Sequence, residues 1–117
     1  MSGSAAFHGG LAAEAAAEAI YAEKGAVTLA RRARTPAGEI DLIVALGEEI
    51  VFIEVKARRS HAAAAASLSR RQQGRILAAA EAWLAATGRP ALTPIRFDLV
   101  TLDATGQPQV LENALGF

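Results

Sequence analysis

The chain has 117 residues, 52% of them hydrophobic and 21% charged, with 12 basic side chains against 12 acidic ones and no cysteine. That balance belongs to one globular domain rather than a disordered segment, and the missing cysteine excludes disulfides and thiolate metal sites. No apolar run approaches the ~18 residues a membrane-spanning helix needs, and no basic stretch leads into a long apolar core, so a cytoplasmic protein with no membrane partner is expected.

Residues 1–9 are small and polar and read as a flexible N-terminus, leaving 10–117 as the domain. "LAAEAAAEAIYAEK", from Leu11 to Lys24, predicts a helix because Ala and Glu are strong helix formers, and Gly25 supplies its C-terminal cap. "AVTLARRAR" (26–34) predicts a first strand, and "TPAG" a turn. "EIDLIVALGEEIVFIEVKARR" (39–59) then reads as a hairpin of two Ile/Leu/Val-rich strands around Gly-Glu-Glu. "SHAAAAASLS" (60–69) is low in complexity and fits either a helical extension or a loop that orders on a ligand. From Ser69 to Thr87 a helix is predicted, with Ser69 as N-cap and Ile76, Leu77, Ala80, Trp83 and Leu84 on one stripe. "IRFDLVTLD" (95–103) is a fourth strand, and "QVLE" fits a short fifth. The order α-β-β-β-α-β describes an α/β or α+β single domain with a mixed central sheet flanked by helices.

The hairpin carries Asp41, Glu54 and Lys56 inside its apolar runs, where charge is costly. Side chains alternate across a sheet, so Glu54 and Lys56 share a face. A two-residue loop, Gly47-Glu48, pairs Leu46 with Glu49 and sets Asp41 opposite Glu54. A four-residue loop sets Asp41 opposite Lys56 instead, and a three-residue loop scatters the set unless a bulge restores register. Two carboxylates on one face repel unless a positive group lies between them. A lysine half-neutralises the pair; magnesium, which prefers hard oxygen ligands and keeps several waters, does so fully. The plainer alternative is a cross-strand salt bridge on a solvated face, worth ~0–1 kcal/mol.

Arginine carries most of the positive charge, in clusters at Arg31, Arg32 and Arg34, at Arg58 and Arg59, and at Arg70, Arg71 and Arg75. Guanidinium groups suit bidentate phosphate contact, although arginine-rich surfaces also accompany GC-rich coding sequences. Arg96 and Asp98, two residues apart on one strand, read as a structural ion pair. Trp83 reads as core, and His8 and His61 as surface residues without partners at ligand spacing.

"GEIDLI" followed by "VFIEVKAR" resembles the signature of the YraN family, bacterial proteins of the PD-(D/E)XK nuclease-like superfamily. "GLAAEAAA" (10–17) is similar to its opening helix, "RRQQGRILAAAEAWLA" to its second, "RFDLV" to the strand after it, and "ENALGF" to its closing segment. The αβββαβ order is also the order of that superfamily's restriction-endonuclease-like core. The resemblance implies that Asp41 and Glu54 bind Mg²⁺ or Mn²⁺ and that Lys56 is the catalytic lysine. It implies for Glu14 the extra acid of the Holliday-junction-resolvase-like subgroup, with Glu18 the more expendable of the two. Gln72 stands where YraN-like sequences often have lysine, and the alanine run at 62–66 replaces a more varied stretch.

The leading expectation is therefore a metal-dependent endonuclease-like protein hydrolysing DNA phosphodiesters, branched or flapped DNA included. Arg31, Arg32, Arg34, Arg58, Arg59, Arg70, Arg71 and Gln72 would hold the nucleic-acid backbone in a salt-dependent, sequence-blind manner. Resolvase-like proteins often act as dimers, so a homodimer is implied too, without residues here that mark its interface. The rivals are a non-catalytic nucleic-acid-binding module and a protein-interaction domain that keep the same fold.

Overall fold

The computed structural model describes residues 3–115, with side chains from Gly10 onward. Part of the expected flexible N-terminus, the side chain of His8, and Gly116 and Phe117 of the closing segment lie outside the described residues. The elements run α1 (Gly3–Glu23), β1 (Val27–Thr35), β2 (Gly38–Leu46), β3 (Glu49–Ala57), α2 (His61–Ala66), α3 (Arg70–Ala86), β4 (Ile95–Leu102) and β5 (Pro108–Leu111). The first helix thus begins at Gly3 rather than Leu11, and the alanine run resolves into the short helix α2, capped by the Ser60 hydroxyl accepting from Ala63 N–H. The predicted cap at Ser69 forms as a reciprocal box with Gln72, and Thr87 ends α3.

The five strands lie in the order β1-β2-β3-β4-β5. All neighbours are antiparallel except β3 and β4, whose parallel pairing needs the crossover that α2 and α3 supply. Helices cover both faces, which is why β2, β3 and β4 read as nearly continuous apolar runs. On one face Ala13, Ala17 and Tyr21 of α1 pack on Leu42, Val44, Val51, Ile53, Val100 and Leu102. On the other, Ile76, Ala79 and Ala80 of α3 pack on Ile43, Ile50, Phe52, Phe97 and Leu99. Trp83 belongs to that second layer, its ring edge-on to Phe52 with centroids 5.9 Å apart.

Turn geometry settles the hairpin register. Leu46 pairs with Glu49 across a two-residue loop, where Gly47 takes the positive φ of 62° that such loops call for. The ladder continues to Leu42 opposite Ile53, and the next step in the same register sets Asp41 opposite Glu54.

Candidate metal and phosphodiester site

The site grows from the end of the β2–β3 hairpin. Where the backbone ladder stops, Asp41 Oδ2 accepts the Val55 N–H at 2.8 Å, so the carboxylate replaces a carbonyl as the strand's acceptor. Glu54 and Lys56 share a face of β3, with Lys56 Nζ 3.9 Å from Glu54 Oε1. Both side chains are largely covered, at 13% and 14% exposed. Glu14 comes from α1, one residue beyond the buried Ala13. These four residues border one cavity of about 460 Å³, which Gly10 and Arg58 also line. Asp41, Glu54 and Lys56 come from one hairpin, and α1 brings Glu14 to them from 27 residues before Asp41 in the sequence.

Electrostatically the cavity is short of positive charge. Burial and then the charge of Asp41 push the Glu54 carboxyl up to about 8, against an ordinary value of 4.5, while Lys56 pulls it down. Burial also raises Asp41, opposed by its hydrogen bond from Val55. Among the described residues Glu54 Oε2 is a buried side-chain oxygen with no hydrogen-bond donor. A buried acceptor in that state is costly in a folded protein unless something else satisfies it. Two hard carboxylates, one with an unsatisfied oxygen, fit a divalent cation that completes its shell with water. Among the described residues no three His, Cys, Asp or Glu side chains converge into a ready-made metal cage. Glu14 is engaged by Arg32, whose Nε lies 2.7 Å from Glu14 Oε1.

Arg32 opposes Asp41 across the β1–β2 register and has a φ of 48°, a left-handed conformation that is uncommon for a residue with a side chain. The irregularity places its side chain beside Glu14. Its neighbours are paired as well. Arg31 donates from Nε and Nη2 to the two oxygens of Glu18 at 2.8 and 2.6 Å, and Thr28 Oγ1 donates to Glu18 at 2.7 Å. The hydrogen bond from Arg31 holds Glu18 below the usual carboxylate range. Arg34 lies 3.5 Å from Glu39. The first arginine cluster therefore faces acids of its own chain.

The other arginines differ. Arg58 borders the acidic cavity, and its guanidinium donates from Nη1 to the neighbouring carbonyl, Ala57 O, at 2.8 Å. Arg59, Arg70 and Arg71 are exposed, the last two on the first turn of α3. Gln72 lines a second cavity of about 160 Å³ beside Glu54, and its Oε1 accepts from Ser69 N–H at 3.2 Å. Arg75, one turn further along α3, borders this second cavity too; the sequence places it in the third arginine cluster without giving it a phosphate contact. Its i+3 spacing from Gln72 was the available signal.

His61 is less exposed than the surface residue expected. It is half-buried, with Nδ1 2.8 Å from the wholly buried Thr101 Oγ1 and Nε2 3.6 Å from Asp103. The Arg96–Asp98 pair forms as read, and it is larger than two residues. Asp98 is fully buried and receives Arg96 Nε and Nη2 at 2.9 and 3.0 Å, the Tyr21 hydroxyl at 2.6 Å and Asn113 N–H at 2.9 Å.

The model of the uncharacterised protein family UPF0102 matches residues 13–102, which span α1 from Ala13 through the end of β4. The chain belongs to the UPF0102 (YraN) family. It is 51% identical over 114 residues to a UPF0102 protein of Cereibacter sphaeroides strain KD131, covering 97% of each chain. A UPF0102 protein of Ruegeria pomeroyi is 46% identical over 109 residues, covering 91% of this chain and 89% of that one. One from Nitrobacter winogradskyi is 46% identical over 110 residues, covering 94% and 93%. All of Glu14, Asp41, Glu54, Lys56 and the α3 residues Gln72 and Arg75 fall inside the span that the UPF0102 family model matches. No described helix is long and apolar enough to cross a membrane.

Proposed function

We propose that this UPF0102 protein is a divalent-cation-dependent endonuclease-like enzyme that hydrolyses DNA phosphodiesters, branched DNA among them. The observation that carries the reading is the buried, donor-less Glu54 Oε2 in a cavity shared with Asp41, Lys56 and Glu14. The structural Arg96–Asp98 pair differs, because both Asp98 oxygens receive donors from the chain itself.

Asp41 and Glu54 would hold Mg²⁺ or Mn²⁺, which when bound polarises a phosphodiester and makes an attacking water more acidic. Asp41 is oriented for this by the Val55 N–H, which fixes one of its oxygens. Lys56, anchored near Glu54 Oε1, presents a positive charge on the cavity wall where negative charge develops on the phosphate. Glu14, held by Arg32, adds acidic charge to the opposite wall. Arg58, at the cavity rim, and the exposed Arg59, Arg70 and Arg71 would grip the backbone without reading bases. Arg31, Arg32 and Arg34 reach DNA on this reading only by exchanging Glu18, Glu14 and Glu39 for phosphate.

The test is incubation with branched and linear DNA in Mg²⁺ or Mn²⁺, beside Asp41→Ala, Glu54→Ala and Lys56→Ala. Metal-dependent cleavage that disappears in all three variants is the expected result. Metal-independent binding without cleavage points instead to a nucleic-acid-binding module, and no DNA binding at low salt removes both.

A further inference from the structure

Glu54 stands between two cavities that different helices enclose. The larger is walled by α1 and β3 and ends at Arg58. The smaller, about 160 Å³, is walled by α3 and the start of β2 and is lined by Gly38, Glu39, Glu54, Gln72, Arg75 and Ile76. At roughly 30 Å³ per water it has room for a group the size of a phosphate. Its acids each have a cation nearby, since Glu39 lies 3.5 Å from Arg34 and Glu54 Oε1 lies 3.9 Å from Lys56, although Glu54 Oε2 has no donor. Arg75 is exposed to solvent. Among the described residues its guanidinium makes no hydrogen bond and no ion pair.

Gln72 sharpens the chemistry of this second space. Its Oε1 is committed to Ser69 N–H in the capping box, which fixes the orientation of the side-chain amide. The amide nitrogen, a donor only, makes no hydrogen bond among the described residues. The wall that α3 contributes thus offers a forked cation and a neutral donor, and no acceptor. The α3 wall suits the oxygens of a phosphodiester, while Glu39 and Glu54 on the facing side supply the acceptors.

We propose that the cavity between α3 and Glu54 seats a second backbone phosphate of the bound strand, gripped by Arg75 and the Gln72 side-chain amide. The strand then crosses Glu54 from Arg58 on the α1 side to Arg75 on the α3 side, with the acidic pair between two phosphate contacts. Gln72, standing where a lysine is common in YraN-like sequences, is a positioning donor here, and Arg75 carries the charge. The inference rests on the nucleic-acid reading above.

The experiment measures binding of a short labelled DNA duplex to the full chain in Ca²⁺, over a range of salt, for wild type, Arg75→Ala, Arg75→Lys and Arg89→Ala. Arg89 lies over the Trp83 ring, 5.5 Å from its centroid, and serves as a charge-matched control away from the site. Arg75→Ala should weaken binding several-fold and reduce the slope of log K against log salt by about 1, the loss of one phosphate contact. Arg75→Lys should restore the slope, and Arg89→Ala should leave it unchanged. In parallel, the Gln72 side-chain amide resonance should move when DNA is added to wild type and stay still in Arg75→Ala. An unchanged slope in Arg75→Ala, an equal change in Arg89→Ala, or an unmoved Gln72 amide in wild type overturns the second seat and leaves the acidic site standing. Wild type that binds no DNA at low salt overturns both.

Discussion

Two buried carboxylates on neighbouring strands of one sheet, Asp98 on β4 and Glu54 on β3, have opposite environments. Asp98 is fully enclosed and receives four donors from Tyr21, Arg96 and Asn113. Glu54 is nearly as enclosed, yet one oxygen has no donor and its nearest cation is 3.9 Å away. Both positions lie in apolar strands, so burial alone does not separate a structural acid from a functional one. Satisfaction does. An acid whose lone pairs are all answered by its own chain holds the fold together, and an acid left short is shaped for something the chain does not carry.

The contrast predicts effects of opposite sign. Asp98→Ala leaves Arg96 and the Tyr21 hydroxyl without their main acceptor and should cost about 3–5 kcal/mol in denaturant unfolding, as broken buried pairs do. Glu54→Gln should not destabilise the metal-free protein and should stabilise it at alkaline pH. The pH dependence follows from the raised Glu54 carboxyl, at about 8 in the folded chain against an ordinary 4.5. Between those values the folded state holds a proton that the unfolded chain has released, so stability falls as pH rises and the loss is complete only above pH 8. From pH 6 to pH 9 the metal-free protein should lose about 2–3 kcal/mol, and Glu54→Gln should flatten that stretch of the curve. A wild-type curve that rises over this range, or one that Glu54→Gln leaves unaltered, contradicts the account.

A smaller effect sharpens the structural side. Tyr21→Phe removes one of the four donors to Asp98 and should cost about 1–2 kcal/mol, well below the loss for Asp98→Ala. At the weak end, Arg31→Ala should leave the unfolding midpoint unchanged within error, because its bidentate pair with Glu18 is solvent-exposed and screened.

Much of this was legible in the sequence, for reasons that are local. Alternation put Glu54 and Lys56 on one face, and Gly47-Glu48 was one of three loop lengths that the residues allowed. Only the folded hairpin, with Gly47 at positive φ, selects the register that brings Asp41 opposite Glu54. The cap at Ser69 and the Arg96–Asp98 pair were readable because their partners lie two or three residues away. The pairing of Arg31 with Glu18 and of Arg32 with Glu14 was not. It depends on how α1 packs against β1 and on a left-handed residue in a strand, neither of which a linear pattern encodes. Tyr21, which completes the Asp98 site from 77 residues away, was invisible for the same reason. Arg75 was visible as part of a cluster, but only its place beside the cavity at Glu54 distinguishes it from Arg70 and Arg71, which are exposed as it is.

The central claim is that Glu54, beside Asp41, is left unsatisfied for a cation. Calorimetric titration with Mn²⁺ at pH 7 tests it most directly, on wild type beside Asp41→Asn, Glu54→Gln and Tyr21→Phe. The account predicts saturable binding that releases a proton, read as a buffer-dependent enthalpy, because Glu54 is largely protonated before the ion arrives. Binding should vanish in Asp41→Asn and Glu54→Gln and persist in Tyr21→Phe. Wild-type protein that binds no Mn²⁺, or binding that survives in Glu54→Gln, would contradict it.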